Sequence, residues 1–392
     1  MRFAIASRIF EPEASAASFR LAALADALHE AGHEVEVLTV RPPRGIPSRD
    51  DNRPYRIKRF PVLRDRTGYV RGYLQYLSFD VPLFLRVLLG SRRDLIVVEP
   101  PPTTGFFVRL AALLRRIPYV YYAADIWSEA AAQTSAPGWV LRAVRGVEGF
   151  ALRGARGVLA VSAEVADRLV GFGVDRSVRV IGNGVDVESF RHGLGSMVPT
   201  SETSPAEVFV YAGTASEWHG AEVFVEALPE VLRAVPKARL RFIGGGSAHD
   251  ALLQRARSLN VSHAITFEPT LPPEALAPIL RDSAAALASV RPDSSYSFAF
   301  PTKLYSAAVC GAPLIYSGEG SPGEFVSTLV DGEPLGISAG CTAAGVAEAM
   351  IRQAAQAISL ERRGRVSDWA SREVSLDAVA RRAVRQLEEA AR

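Results

Sequence analysis

Three groups of residues have the types and spacing for work on a phosphate or a hydroxyl. Gly244-Gly245-Gly246 joins the strand-like run Arg239–Ile243 to the helix-like run His249–Leu259. Glycines let a backbone approach a phosphate closely, and a helix N-terminus offers free N–H groups with partial positive charge. The same three residues also suit a plain tight turn. The full GxGxxG spacing of a dinucleotide site is absent, as is an acidic partner for its ribose. Asp125, in Asp125-Ile126-Trp127-Ser128-Glu129, follows the apolar run Pro118–Ala123. A carboxylate at a strand end could orient or deprotonate a hydroxyl, or it could cap the helix that follows. In the loop Glu11–Ser18, Ser15 or Ser18 could likewise cap a helix or touch a ligand.

The elements that must position these residues alternate between two periods. In the first half, strands are expected at Phe3–Ser7, Glu34–Thr39, Asp94–Val98, Pro118–Ala123, Gly157–Val161 and Val178–Ile181. Between them lie helical patterns at Ala14–Ala31, Thr104–Leu114, Val140–Leu152 and Ala163–Phe172. A polar stretch containing Gly193, Gly195, Pro199, Ser201, Thr203 and Pro205 reads as a linker. The alternation then restarts. Strands are expected at Val208–Gly213, Arg239–Ile243, Ile265–Phe267, Ala284–Ser289 and Pro313–Ser317, and helices at Ala221–Ala234, His249–Leu259 and Lys303–Cys310. Charged helical sequence runs from about Ala343 to Arg392. Such alternation predicts parallel sheets covered on both faces. The expectation is an α/β protein of two doubly wound, Rossmann-like domains, residues 1–195 and 196–374, with a terminal helix at about 375–392 packing back on the first. Ligands of such sheets bind beyond the carboxyl ends of the strands, which makes an interdomain cleft the expected active site.

Composition narrows the class. The chain has 392 residues, 48% of them hydrophobic and 22% charged, as in ordinary globular proteins. Two cysteines, Cys310 and Cys341, exclude a disulfide framework and suit a reducing cytoplasm. Arg8 and Glu11 interrupt the apolar start, so it reads as a first strand and not as a secretory signal. The net charge of +3 is uneven. Residues 1–195 carry 27 basic and 20 acidic side chains, a net of +7, and the remainder carry 18 and 22, a net of −4. Ten of the basic residues fall in 53–93 beside only Asp65 and Asp80, with aromatic residues interleaved. That pattern suits an anionic membrane face, or simply a solvated helix pair. No nucleic-acid recognition motif accompanies it.

Gly182-Asn183-Gly184-Val185-Asp186, with Phe190 beyond it, resembles the segment that closes the N-terminal domain of family 4 glycosyltransferases. Asp125-Ile126-Trp127 resembles their acceptor-side motif, and Ala31-Gly32-His33-Glu34-Val35 their entry into the second strand. In the second half, Tyr211-Ala212-Gly213-Thr214 and Phe242-Ile243-Gly244-Gly245-Gly246 are similar to the start of the donor domain. Phe300-Pro301-Thr302-Lys303-Leu304-Tyr305, followed by Gly311-Ala312-Pro313-Leu314-Ile315, is similar to a motif of the subgroup that builds cell-surface polysaccharides. The resemblance covers nearly the whole chain. It implies a GT-B fold, a nucleotide-sugar donor in the C-terminal domain and an acceptor in the N-terminal domain, contacted by Ser15 and Trp127 with Asp125 as the catalytic carboxylate. It further implies retention at the anomeric carbon, no metal and no cofactor beyond the nucleotide-sugar co-substrate.

The departures from the family pattern fall in the donor domain. By register with Gly311, the family's paired glutamates correspond to Phe298 and Ser306, and its usual arginine and lysine to Thr214 and His219. Each lost charge-assisted hydrogen bond costs about 1.5–3 kcal/mol, roughly ten- to a hundredfold in affinity. Replacements are present. Lys303 is one of three lysines among 42 arginines and could hold a diphosphate, as could Gly213, Gly244 and Gly245 by close backbone approach. Ser306 could bind a ribose hydroxyl, and Arg291 follows the strand Ala284–Ser289. His219 could supply a pH-dependent charge. Glu319 and Glu324, in a glycine-rich loop, could hold sugar hydroxyls, or Glu324 could start a helix. The expected activity is transfer of a hexosyl group to a lipid-linked or polysaccharide acceptor by a cytoplasmic protein peripheral on the inner membrane face. A catalytically silent GT-B-like binding or scaffolding subunit is the alternative. A nucleotide-sugar epimerase fits less well, because no paired carboxylates with a histidine occur at recognisable spacing.

Overall fold

The computed structural model describes every residue except 14, 44, 48–51, 66–69, 71, 133–135, 175–176, 195–206, 293, 295–297 and 357. Most of the expected linker and Tyr69, Arg66 and Arg71 of the basic stretch lie outside the described residues. The chain divides into two compact units. Unit 1 is Met1–Gly184 with Leu376–Arg392, and unit 2 is Val185–Ser375.

Unit 1 begins β1 (Arg2–Ala6), α1 (Ala16–Glu30), β2 (Glu34–Val40), β3 (Arg56–Phe60), α2 (Tyr73–Leu89) and β4 (Leu95–Val98). It continues α3 (Pro102–Arg115), β5 (Tyr119–Ala123), α4 (Trp127–Ala132), α5 (Gly138–Arg153), β6 (Gly157–Ala160), α6 (Ala163–Val170) and β7 (Val178–Val180). Its sheet has the order β3-β2-β1-β4-β5-β6-β7, with every pairing parallel. β4 and β5 are buried along their whole length, as strands covered on both faces must be. Strand order reverses between β1 and β4. Right-handed crossovers therefore put α1 on one face and α2, α3 and α5 on the other. α2 packs on α3 and α3 on α5.

Unit 2 opens on α7 (Val187–Leu194), β8 (Val208–Ala212), α8 (Glu222–Ala234), β9 (Arg239–Ile243), α9 (His249–Ser258), β10 (Ile265–Glu268), α10 (Pro273–Arg281) and β11 (Ala285–Ser289). α11 (Lys303–Val309), β12 (Leu314–Ser317), α12 (Ser321–Val326), β13 (Leu329–Val330), β14 (Glu333–Pro334) and β15 (Gly336–Ser338) follow. α13 (Ala343–Ala354) and α14 (Leu360–Glu373) complete it, and α15 (Leu376–Ala391) returns to unit 1, where it packs on α1. The parallel sheet has the order β10-β9-β8-β11-β12-β15, and β13 and β14 form a separate antiparallel pair. Two apolar layers cover it. One is centred on Phe209, Phe224 and Leu228, the other on Leu304, Val309 and Leu314.

Three features differ from the sequence expectation. The division falls at Gly184/Val185 and Ser375/Leu376, not at 195/196 and 374/375. α7 packs on α10, and Gly193 sits in that helix against the Glu274 backbone, so the chain has entered unit 2 before the polar stretch begins. The 53–93 stretch is not one basic surface. Arg53 is bound by Glu11 and Asp26, Lys58 and Arg93 share Glu36, and Arg64 pairs with Glu13. Nor is it a helix pair, since Arg56–Phe60 is the edge strand β3. No helix among the described residues is long and apolar enough to cross a membrane.

Candidate functional site

In unit 2 the carboxyl edge is made of turns that touch backbone to backbone. Gly213, Gly244 and Gly246 all take positive φ, at 115°, 135° and 139°. A Cβ on Gly244 would lie 2.5 Å from the Gly213 carbonyl oxygen, and one on Gly246 would strike the Ala215 carbonyl. The Ala215 N–H donates to the Gly245 carbonyl at 2.8 Å. Gly244 and Gly246 are therefore required by the packing of one turn on the other. Gly245 has open space where a side chain would be.

Lys303, the first residue of α11, reaches across this edge. Its Nζ donates to the Thr214 carbonyl at 3.3 Å and lies 3.6 Å from the centroid of the Tyr211 ring. A Cβ on Gly213 would stand 3.5 Å from Lys303 Cε, so the glycine leaves room for the lysine stem. Among the described residues no carboxylate pairs with this ammonium. Burial pulls its pKa down to about 7. The helix is anchored by an aromatic cluster: Phe300 stacks on Tyr305 at 4.6 Å, and Phe325 meets both rings edge-on.

His219 is nearby and is not the cation expected of it. Its Nδ1 accepts the Ser216 N–H at 3.1 Å, and its ring stacks on Trp218 at 3.5 Å. Burial, reinforced by the Lys303 charge, drives its pKa down to about 4. It is neutral at physiological pH, with its proton on Nε2, and can only donate a neutral hydrogen bond. Arg291 is half-exposed and bound to Glu222, with Nε 2.9 Å from the carboxylate. It lines a depression of about 720 Å³ with Glu217, His219, Glu222, Ser289 and Ser317. The paired acid offsets the charge that the sequence assigned to nucleotide binding. Ser306 is half-buried on α11. Glu319 is exposed and its backbone carbonyl receives the Tyr316 hydroxyl at 3.1 Å. Glu324 stands in the first turn of α12. No contact joins these last three to Lys303 among the described residues. Phe298, at the first of the family's glutamate positions, is buried.

The carboxyl edge of unit 1 is built from charges. Glu148, buried on α5, accepts the N–H groups of Trp127 at 2.8 Å and Ser128 at 2.9 Å, and so caps α4 from outside. Asp125 is released from most of that duty, and among the described residues its Oδ1 accepts only the adjacent Ile126 N–H at 3.0 Å. Desolvation raises its pKa, and the charge of Glu129 adds to this. Ser15 does cap α1, accepting the Ser18 N–H at 3.1 Å. Trp127 meets Tyr76 edge-on at 5.8 Å.

Two arginines missed at the sequence level complete this edge. Arg8, directly after β1, lies 4.9 Å over Tyr76 and 5.7 Å over Trp127, and donates to the Val70 carbonyl at 3.1 Å. Its position between a first strand and a loop was the available signal. Arg20 on α1 is buried and bound to Glu99 at the end of β4, and it donates to Asn183 at 2.8 Å. The Ser7 hydroxyl donates to the other Glu99 oxygen at 3.2 Å. One ion pair thus ties together α1, β1, β4 and the Gly182-Asn183-Gly184 turn. No group of three or more metal-ligating side chains occurs among the described residues.

Known proteins match both units. A glycosyl transferase 4-like domain model fits residues 16–184, and a glycosyl transferases group 1 model fits residues 206–356. A D-inositol 3-phosphate glycosyltransferase of Segniliparus rotundus is 29% identical over 130 residues, 32% of this chain and 28% of the relative. The Nocardia farcinica protein of the same name is 34% identical over 125 residues, 30% of this chain and 27% of the relative. The match thus spans less than a third of those relatives. Among solved structures, sucrose-phosphate synthase from Thermosynechococcus elongatus superposes with a TM-score of 0.67 at 16% identity, covering 99% of this chain and 98% of that one. Anabaena HepE in complex with UDP and glucose gives 0.65 at 15% identity, covering 99% and 100%.

Proposed function

Because the chain belongs to the GT-B glycosyltransferases of the glycosyl transferase 4-like family, we propose that it moves a hexosyl group, with retention and without a metal, from a nucleotide-sugar to a lipid-linked or polysaccharide acceptor at the inner membrane face. The observation that carries this reading is the ammonium of Lys303 at the carboxyl edge of β8, held against Thr214 and Tyr211 with no carboxylate partner among the described residues. In the reaction the bond from the anomeric carbon to the diphosphate oxygen breaks and one to the acceptor oxygen forms. The departing nucleoside diphosphate gains negative charge. A preorganised, partly desolvated cation stabilises that charge more than water does. Lys303 supplies the cation, His219 Nε2–H a neutral donor, and Gly245 a surface without a side chain for close approach. The lysine thus takes over part of what Thr214, Phe298 and Ser306 do not provide.

On unit 1, Asp125 is assigned to the acceptor hydroxyl. A carboxylate whose pKa is raised by desolvation is a better proton acceptor near neutrality than an ordinary surface aspartate. Trp127 and Tyr76 offer aromatic faces to a sugar or lipid-linked acceptor. HepE's complexes with UDP and UDP-glucose make uridine diphosphate the first nucleotide to try. In thermal-shift assays with nucleoside diphosphates, a ligand at about 100 times its Kd adds roughly 2.7 kcal/mol. The reading expects one nucleotide to raise the melting temperature and Lys303→Ala to abolish the rise. A panel with no shift, or a shift that survives Lys303→Ala, would overturn it.

A further inference from the structure

A helix on the surface of a globular protein needs one apolar stripe, and α2 has two. Phe79, Leu83 and Val87 are fully buried against the unit 1 core. On its outward side Leu74, Leu77, Val81, Leu85 and Leu89 follow one another at helical spacing and are exposed, Leu74 by 70% and Leu89 by 78%. The stripe runs about 22 Å along the helix at 1.5 Å per residue. Nothing in the core explains it. The neighbouring helices add to it: Leu113 and Leu114 stand out at the end of α3, and Trp139 is 68% exposed at the start of α5.

The charge on these three helices has one sign. α2, α3 and α5 contain two acidic residues, Asp80 and Glu148, and both are buried. Their solvent-facing charges are arginines, with Arg142 and Arg145 exposed on α5 and Arg92 and Arg116 exposed just past the ends of α2 and α3. The acids that bind the 53–93 basic residues, Glu11, Glu13, Asp26 and Glu36, belong to other elements: the loop after β1, α1 and β2. An apolar stripe on a helical face whose exposed charges are arginines matches the interface of an anionic bilayer, where leucines enter the acyl boundary and arginines stay at headgroup level. A protein partner of ordinary composition would not require the exclusion of every exposed acid from these three helices.

We propose that the α2–α3–α5 face of unit 1 docks flat on an anionic lipid bilayer. The stripe starts beside the acceptor edge, since Leu74 and Leu77 bracket Tyr76, whose ring touches Trp127 and lies under Arg8. Docking this face brings that edge to the headgroup plane, where a lipid-linked acceptor presents its sugar. The inference deepens the acceptor assignment above and shares its premise of a membrane-borne acceptor. Its test requires neither nucleotide nor turnover, so the two can fail separately.

The test is flotation of the full chain with phosphatidylcholine vesicles, with and without phosphatidylglycerol, at low and high salt. Binding is expected to the anionic vesicles, weakened by salt. Arg142→Ala and Arg145→Ala should each lower the partition about fivefold. The double variant Leu74→Glu/Leu85→Glu should lose binding while keeping the wild-type melting temperature and nucleotide-induced shift, because both side chains are exposed. Equal binding to neutral and anionic vesicles would overturn the proposal, as would wild-type binding by the leucine variant. A lipid-free dimer that the leucine variant dissociates, in a chain that ignores vesicles, would replace the bilayer with a second copy.

Discussion

The two units have the same strand order around their switch points and finish their carboxyl edges in opposite ways. Unit 1 closes its edge with paired side-chain charges: Arg20 with Glu99 and Asn183, and Glu148 on the α4 N-terminus. Unit 2 closes its edge with glycine turns packed backbone on backbone, and leaves one ammonium without a counter-charge among the described residues. An edge of paired charges can present a carboxylate to a neutral hydroxyl. An edge with an uncompensated cation stays incomplete until an anion arrives. The difference fits an acceptor on the first unit and a nucleoside diphosphate on the second.

Breaking the unit 1 edge should have the largest effect. Glu99→Ala leaves the Arg20 guanidinium buried and unpaired, at a cost of about 3–5 kcal/mol. Denaturant unfolding should show the loss, and a change below about 1 kcal/mol would mean that the pair does not hold the edge. The corresponding deletion in unit 2 should act on binding instead. Lys303→Ala should weaken diphosphate affinity ten- to a hundredfold, about 1.5–3 kcal/mol, while stability holds or rises, because a desolvated charge is removed. Calorimetric titration beside a melting curve separates the two effects.

The glycine turns sharpen the contrast further. Gly246→Ala forces a side chain onto the Ala215 carbonyl at positive φ and should cost about 1–3 kcal/mol. Gly245→Ala has open space and should leave stability within about 0.5 kcal/mol of wild type while reducing nucleotide affinity. Equal losses for both would refute the division of labour within the turn. The smallest effect is on pH dependence. His219 is held neutral with a pKa of about 4 against an unfolded value of 6.5. Its contribution to stability is therefore complete above about pH 6.5 and is lost as pH falls toward 4. A histidine Cε1 resonance titrating near 6.5 in the folded protein would contradict the buried geometry.

Much of this architecture was legible in the sequence because buried parallel strands and amphipathic helices carry strong periodic signals. Leu95–Val98 and Tyr119–Ala123 announce themselves as runs without polar residues. β3 did not, since an edge strand reading Arg-Ile-Lys-Arg-Phe is half-buried and takes its ion partners from β2 and distant loops. The unit boundary escaped for a similar reason: α7 looks like the end of the first alternation, and its docking on α10 has no local signature. At the candidate sites, residue type does not give the charge state. Lys303 stood out by rarity, and its ammonium rests on the Thr214 carbonyl and the Tyr211 ring with no carboxylate partner among the described residues. His219 also has the type of a cation, and only its burial and the neighbouring Lys303 charge make it neutral. Glu148 and Arg20 act over separations of 20 and 163 residues along the chain, which no motif spans.

The central claim is that Lys303, with no carboxylate partner among the described residues, is a partly desolvated cation that receives a diphosphate. Its pKa of about 7 in the free protein makes binding take up a proton, because an anion beside it favours the charged form. Calorimetry with uridine diphosphate across about pH 6 to 9, in buffers of differing ionisation enthalpy, reads this directly. The account predicts proton uptake that grows above pH 7, an affinity that falls by up to about tenfold per pH unit there, and loss of both in Lys303→Ala. Affinity that is flat across that range, with no protons exchanged by the wild type, would contradict it.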